Sequence, residues 1–565
     1  MKQFLLTMAG VFAGLVLFLI GVPILLIALA ASAARPDPLP AHAVLELDLR
    51  EPLTDQEPAN PLAGFGRRRL SVMSIVATLR EAESDDRVEG LLIRLPESGI
   101  DPAAADELRL SVKRLRAAGK RVVAHSQGLY PSGAVTSTYM LGASADEFWM
   151  QPGASFQATG LSGETVFFKR FFDRYGVIAD FQQRREYKNA VNPYLHDDFT
   201  PAHREAQLSW MGSIHRTSLA AAALDRNQPA ARLTAAFQAG PYIAEDAVRA
   251  GLIDKVGEVR EAEKTLRALH KNAELVEFRD YDHPAREVSG SGPTVAVIEG
   301  EGAIVTGQDG AANPFTGGST MYSDDIAEAL YEAAEDDDVK AVVFRVSSPG
   351  GSDTASEQIL AAVRAVKAAG KPVVVSMGSY AASGGYWVSS QASAIVAHPS
   401  TLTGSIGVYG GKFVVGPALE RFGVDVRPSA VGGGYADAFD IGRPFDGQDR
   451  AAFSGWMDRI YANFITRVSE GRRLPVERVQ EIARGRVWTG AQARQLGLVD
   501  ELGGFYQAVD KAKALAGLKG QVRLRRMNEQ VSPFEALQQA LGISATSVRT
   551  LAAAAWLMGD PRAQA

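Results

Sequence analysis

Ala117-Ala118-Gly119-Lys120 recurs 251 residues later as Ala368-Ala369-Gly370-Lys371. The same displacement lays Asp85-Asp86-Arg87-Val88 on Asp336-Asp337-Asp338-Val339 and Arg94 on Arg345. After a slip of four residues, an offset of 247 matches Pro152 with Pro399 and Tyr175-Gly176-Val177 with Phe422-Gly423-Val424. Towards the end of each half, Gly251-Leu252-Ile253-Asp254 matches Gly497-Leu498-Val499-Asp500. Chance does not hold one frame across so many separate anchors, so the chain reads as a tandem duplication.

Each copy has the same rhythm. The apolar runs 91–95 and 341–346 read as buried strands, followed by helical spacings of Leu108, Val112 and Leu115 and of Ile359, Val363 and Val366. Gly119 and Gly370 fall where a helix closes on a left-handed residue. Further strands are expected at 121–126 and 372–377, then at 147–150 and 394–398. Strands alternating with helices indicate an α/β architecture. Ser289-Gly290-Ser291-Gly292 marks a linker, and Ser532-Pro533-Phe534-Glu535 reads as a capping box opening a late helix. The expected organisation is a membrane anchor over 1–39, an N-terminal repeat over 40–285, a linker over 286–293, a C-terminal repeat over 294–525 and a helical tail over 526–565.

Composition excludes several classes. Hydrophobic residues at 46% and charged residues at 22% of 565 are globular proportions, not those of a disordered chain. A net charge of −6 argues against a nucleic-acid binder. With no cysteine there are no disulfides, thiol nucleophiles or thiolate metal sites. Residues 3–34 carry no charge, and 4–31 are almost continuously apolar. A membrane span needs about 20 such residues and a cleavable signal core only about 7–15, so a retained anchor is expected. The small residues Ala31, Ala33 and Ala34 leave cleavage as the alternative. Lys2 ahead of the run favours a cytoplasmic N-terminus, a bias that Arg35 weakens.

The halves differ where chemistry can reside. Ser347-Ser348-Pro349-Gly350-Gly351 follows a strand, and its glycine pair lets backbone N–H groups face a cleft, as an oxyanion hole requires. The corresponding Pro96-Glu97-Ser98-Gly99 lacks the pair. Ala381-Ala382-Ser383-Gly384-Gly385 places a serine among small residues at a strand-to-helix junction. In isolation Ser383 would read as a helix N-cap; beside the upstream glycines it reads as a nucleophile. A serine needs a base. Of eight histidines, His398 alone lies in the C-terminal half, and both His398 and His125 read as strand ends. No Gly-x-Ser-x-Gly elbow surrounds Ser383. A lysine can substitute when burial keeps it neutral. Lys188, within Glu186-Tyr187-Lys188-Asn189-Ala190-Val191, is one such candidate, although alone it reads as a solvated surface lysine; Lys412 is another.

The segment 376–387 around Ser383, the segment 345–352, the segment 400–407 and the stretch 186–191 resemble the motifs of the signal peptide peptidase A family, membrane-anchored bacterial serine proteases. Anchor, duplication and motif order match the family's long, two-repeat form over nearly the whole chain. The resemblance implies a fold shared with Clp protease subunits and crotonases. It implies that Ser383 is the nucleophile, Lys188 the general base and Ser405 the residue orienting the lysine amine. Gly350, Gly351 and Gly384 are the oxyanion-hole candidates, with the donor among them left open. It further implies a homo-oligomer (a tetramer) at the bacterial inner membrane, with its body on the periplasmic side and signal peptides and other apolar extended peptides as substrates. Ser347, where asparagine is common, and Glu186 and Asn189 beside the lysine depart from the family pattern. No Walker loop or zinc-ligand cluster is present, so no metal, nucleotide or other cofactor is expected.

Two rivals remain at this level: a silent membrane scaffold, which need not retain a serine–lysine pair, and a crotonase-like acyl transferase, for which no coenzyme A pocket is detected. The duplication adds an expectation. The N-terminal counterpart of Ser383 lies near Ser132-Gly133, and that of Lys188 falls on Tyr435, so neither copy holds both parts. The site should then lie at the junction of the two halves.

Overall fold

The computed structural model describes residues 39–57, 70–281, 292–308 and 319–527, with isolated positions among the first 18. Apart from those positions, the apolar run expected to anchor the chain lies outside the described residues. So do Ser289, Gly290 and Ser291 of the linker and the helix expected after Ser532. Among the described residues no helix is long and apolar enough to cross a membrane.

Each half is built on a parallel sheet. In the N-terminal half the strands run in the spatial order Lys255–Val256, Glu147–Met150, Arg121–Ser126, Val88–Leu95, Ala43–Asp48, Glu274–Glu277. In the C-terminal half Glu501–Leu502, Ala394–Ala397, Val373–Ala382, Val339–Ser348, Thr294–Glu301 and Arg523–Arg526 repeat that order. The register repeats as well. Val44 pairs with Gly90 and Leu92 with Val123, while Val295 pairs with Ala341 and Val343 with Val374, each 251 residues on. Even the irregularity after Ala43 returns after Thr294. The duplication is therefore a property of the fold.

The strands are apolar on both faces because helices cover both. Ile298, Val342 and Phe344 pack into one cluster with Ile359 and Val363, whereas Val295, Val343 and Val374 face Phe505 and Val509. Helices Pro102–Ala117 and Asp353–Ala368 keep the 251-residue offset and open on Asp101 and Ser352, whose side chains accept from backbone amides of the first turn. The strands Arg121–Ser126 and Glu147–Met150 keep their expected bounds and Ala394–Ala397 stops one residue short, whereas Val88–Leu95, Val339–Ser348 and Val373–Ala382 run beyond theirs. Val373–Ala382 has ten residues against six for Arg121–Ser126, and the extra length carries the chain to Ser383.

The halves interlock. Ile178–Gln183 pairs antiparallel with Tyr409–Val414. Ser213 on the long helix Pro201–Asp225 lies 2.8 Å from Thr489 across the divide. Between the sheets, Arg345 donates to Asp55 (2.6 and 2.9 Å) and Glu107 (3.0 Å). His398 stands one residue past the end of its strand, Ala394–Ala397, and its ring is fully buried, with Nδ1 3.0 Å from Asp106 and Nε2 2.8 Å from Glu107. Burial alone would depress this imidazole, yet the two carboxylates outweigh it and hold its pKa at about 9. Glu107, despite burial, is held down at about 2 by His398 and Arg345.

Candidate active site

Ser383 sits immediately after Val373–Ala382 and ahead of the helix Gly384–Ser389. It occupies the N-cap position without capping: its side chain accepts no bond from the helix amides, so the hydroxyl is free for other use. Its φ of 55° and ψ of −117° place it in a region that non-glycine residues seldom occupy. Its own N–H is held by Gly404 O at 2.9 Å. A Cβ on Gly350, whose φ is 106°, would lie 2.7 Å from Ser383 Cβ and 2.6 Å from Gly384 N, so only glycine admits this approach. In the N-terminal half Gly99 meets Ala134 in the same manner, which aligns Gly133 with Ser383. Gly133 keeps the left-handed backbone (φ 63°) but has no side chain, and Ile100 stands where Gly351 would.

Lys188 reaches Ser383 from the other half, within the same chain. The Ile178–Gln183 strand, tied to Tyr409–Val414, delivers the loop that carries it. Only 3% of Lys188 is exposed. Its Nζ lies 3.0 Å from Ser383 Oγ, 2.8 Å from Ser405 O and 2.9 Å from Ser405 Oγ. Burial lowers its pKa from 10.5 to about 7. A neutral amine has two hydrogens and one lone pair. With both hydrogens given to Ser405, the lone pair is left for the Ser383 hydroxyl, the arrangement a general base requires.

Three amides compete for an oxyanion. Gly350 N–H donates to Ser348 Oγ at 3.1 Å. The N–H groups of Gly351 and Gly384 have no acceptor among the described residues, and a Cβ on Gly384 would lie 3.0 Å from Gly351 N, so the two are adjacent. That pair can stabilise negative charge developing beside Ser383.

Other candidates are engaged elsewhere. The Lys412 amine donates to Ala438 O (2.6 Å) and Asp440 O (2.7 Å), and His125 Nε2 lies 3.0 Å from Gly257 O. His42, Glu89 and His270 bring ligand-type atoms within 4.8 Å of one another. Their two imidazoles stack at 3.4 Å and 20°, however, so no ion could lie in both ring planes.

The sequence reading missed the turn 484–486, which touches both partners of the lysine contact. Tyr187 N–H donates to Arg484 O (3.2 Å), and Ser405 N–H donates to Arg486 O (2.7 Å). No motif or periodicity marks these residues in the sequence.

The family model for peptidase family S49 matches this chain twice, over residues 114–274 and 365–519, once in each half. Protease 4 of Salmonella typhi is 33% identical over 505 residues, spanning 85% of this chain and 79% of that protein. Protease 4 of Haemophilus influenzae is 32% identical, spanning 90% and 84%. The chloroplastic serine protease SPPA of Arabidopsis thaliana is 26% identical, spanning 90% and 75%. On these two matched regions and relatives covering most of its length, the chain belongs to peptidase family S49 and is a serine protease.

Proposed function

We propose that this serine protease works through a Ser383–Lys188 dyad and degrades cleaved signal peptides and other apolar, extended peptides at the bacterial inner membrane. The observation that carries the reading is the buried Lys188 amine lying between Ser383 Oγ and Ser405. Neutral Lys188 takes the Ser383 proton as Oγ attacks the scissile carbonyl. The Gly351 and Gly384 amides hold the oxyanion. The lysine returns the proton to the leaving amine, and water then releases the acyl group by the same route. Ser405 fixes the amine in its productive orientation.

The substrate class rests on the family resemblance and on the apolar run 4–31, which would confine the enzyme to the surface where released signal peptides reside. A single retained anchor, a periplasmic body and a homotetramer complete the proposal. Extended peptides can add main-chain hydrogen bonds to strand edges, leaving pockets to select small or apolar side chains.

Hydrolysis of a synthetic signal peptide by wild type, Lys188→Ala and Lys188→Arg tests the dyad. Both variants should fall to background, because a guanidinium cannot serve as a base; full activity in Lys188→Ala would exclude it. Alkaline carbonate extraction tests the anchor, and release of a chain beginning near Arg35 would reject it.

A further inference from the structure

We propose that the Arg484-Gly485-Arg486 turn is the positioning element of the active site, seating the Lys188 loop of the N-terminal half against Ser405 of the C-terminal half. The inference rests on the Ser383–Lys188 reading and names what holds that pair together.

Three main-chain bonds tie the turn to both sides and a fourth closes the turn itself. Tyr187 N–H donates to Arg484 O at 3.2 Å, Gly485 N–H to Ile406 O at 2.9 Å, Ser405 N–H to Arg486 O at 2.7 Å, and Arg486 N–H to Ala483 O at 2.9 Å. Arg484 and Gly485 are consecutive left-handed residues, with φ of 53° and 78°. The Arg484 C=O and Gly485 N–H belong to one trans peptide and so point to opposite sides, the carbonyl to the lysine loop and the amide to the Ser405 segment. At Gly485 a Cβ would lie 2.6 Å from Lys188 N and Cβ and 2.7 Å from its Cα. N and Cα belong to the main chain, so a side chain there displaces the whole loop.

Side chains reinforce the clamp. The Arg486 guanidinium lies over the rings of Tyr187 (4.9 Å) and Trp488 (4.3 Å), and it makes two bonds to Glu205 of the N-terminal half at 2.6 and 2.8 Å. Arg484 pairs with Glu186. Glu186 and Tyr187, the two residues ahead of the lysine, are thus gripped from the opposite half.

Displacing a catalytic group by about 1 Å costs on the order of 100-fold in rate. A displaced amine also regains water, and its pKa returns towards the ordinary lysine range. Gly485→Ala is therefore expected to lower kcat on a synthetic signal peptide by about 100-fold with KM within about twofold, and to move the midpoint of the rising, acid limb of the pH–rate profile upward. Tyr187→Leu removes the ring under Arg486 without touching the left-handed backbone, and should move the same midpoint upward with a smaller loss of kcat. A role in folding alone would reduce the amount of active enzyme and leave the midpoint unmoved. If Gly485→Ala does not fold, Tyr187→Leu decides by the same readout. A wild-type pH midpoint in the folded variants overturns the proposal, provided Lys188→Ala is inactive; an active Lys188→Ala instead overturns the dyad on which it rests.

Discussion

Replacing Lys188 by methionine should inactivate the enzyme and, near neutral pH, stabilise the fold. The lysine pKa is about 7 in the folded protein against 10.5 ordinarily, and burial is the cause. Between those values the unfolded chain holds a proton that the folded chain does not, so wild-type stability rises with pH across this window. Below about pH 7 both states are protonated and the full penalty stands. At pH 7 that penalty is about 4 kcal/mol. Methionine, similar in length, forfeits the two hydrogen bonds to Ser405, each worth about 1 kcal/mol. The net expectation at pH 7 is a variant more stable than wild type by about 2 kcal/mol. Because only the wild type titrates at this position, the advantage should shrink by about 1 kcal/mol per pH unit as pH rises. The opposite pH dependence contributed by His398 is common to both proteins and cancels. Urea unfolding of both proteins at several pH values between about 7.5 and 9.5 measures the difference. A difference that does not change over that range would refute the claim that this amine is held neutral by burial.

Ser383→Ala should reduce hydrolysis to background while leaving the urea midpoint close to wild type; retained hydrolysis would remove Ser383 from the mechanism. Lys412→Met should keep kcat within about twofold, since its amine serves the Ala438 and Asp440 carbonyls; a loss comparable to that of Lys188→Ala would reinstate it as a base. His398→Leu leaves Asp106 and Glu107 short of a buried partner and should cost about 3–5 kcal/mol near neutrality. The folded imidazole pKa is raised from 6.5 to about 9, so its contribution is full below about 6.5 and lost as pH rises through about 9. The deficit should therefore narrow by about pH 9.5, and an equal deficit at pH 6 and 9.5 would contradict this. Residues 40–285 and 293–565 expressed separately should each be inactive, with activity only on mixing; activity from the C-terminal piece alone would rule out a site shared between halves.

The duplication was legible because local constraints repeat with the sequence. Apolar runs at Val88–Leu95 and Val339–Ser348, and helix-closing glycines at 119 and 370, are short-range signals, and the observed register follows the same 251-residue offset. Ser383 was visible as a departure from that symmetry, since the second glycine of each of its pairs, Gly351 and Gly385, falls on Ile100 and Ala134 in the first copy. Lys188 was not legible from its own surroundings. A lysine between Tyr187 and Asn189 looks solvated, and only the resemblance singled it out. Its burial is created by residues more than 200 positions away, among them Ser405 and Gly485. For the same reason His398 read only as a strand end. The carboxylates that charge it belong to the other half, and nothing near it in sequence announces Asp106 or Glu107. The choice of Gly351 over Gly350 as an amide donor likewise turns on one side-chain bond from Ser348. Sequence alone determined the repeated strands, helices and turns, because those depend on neighbours along the chain. Only the tertiary structure decided which charges are buried, which amide is free and which lysine loses its proton, because desolvation and Coulomb energy depend on distance in space.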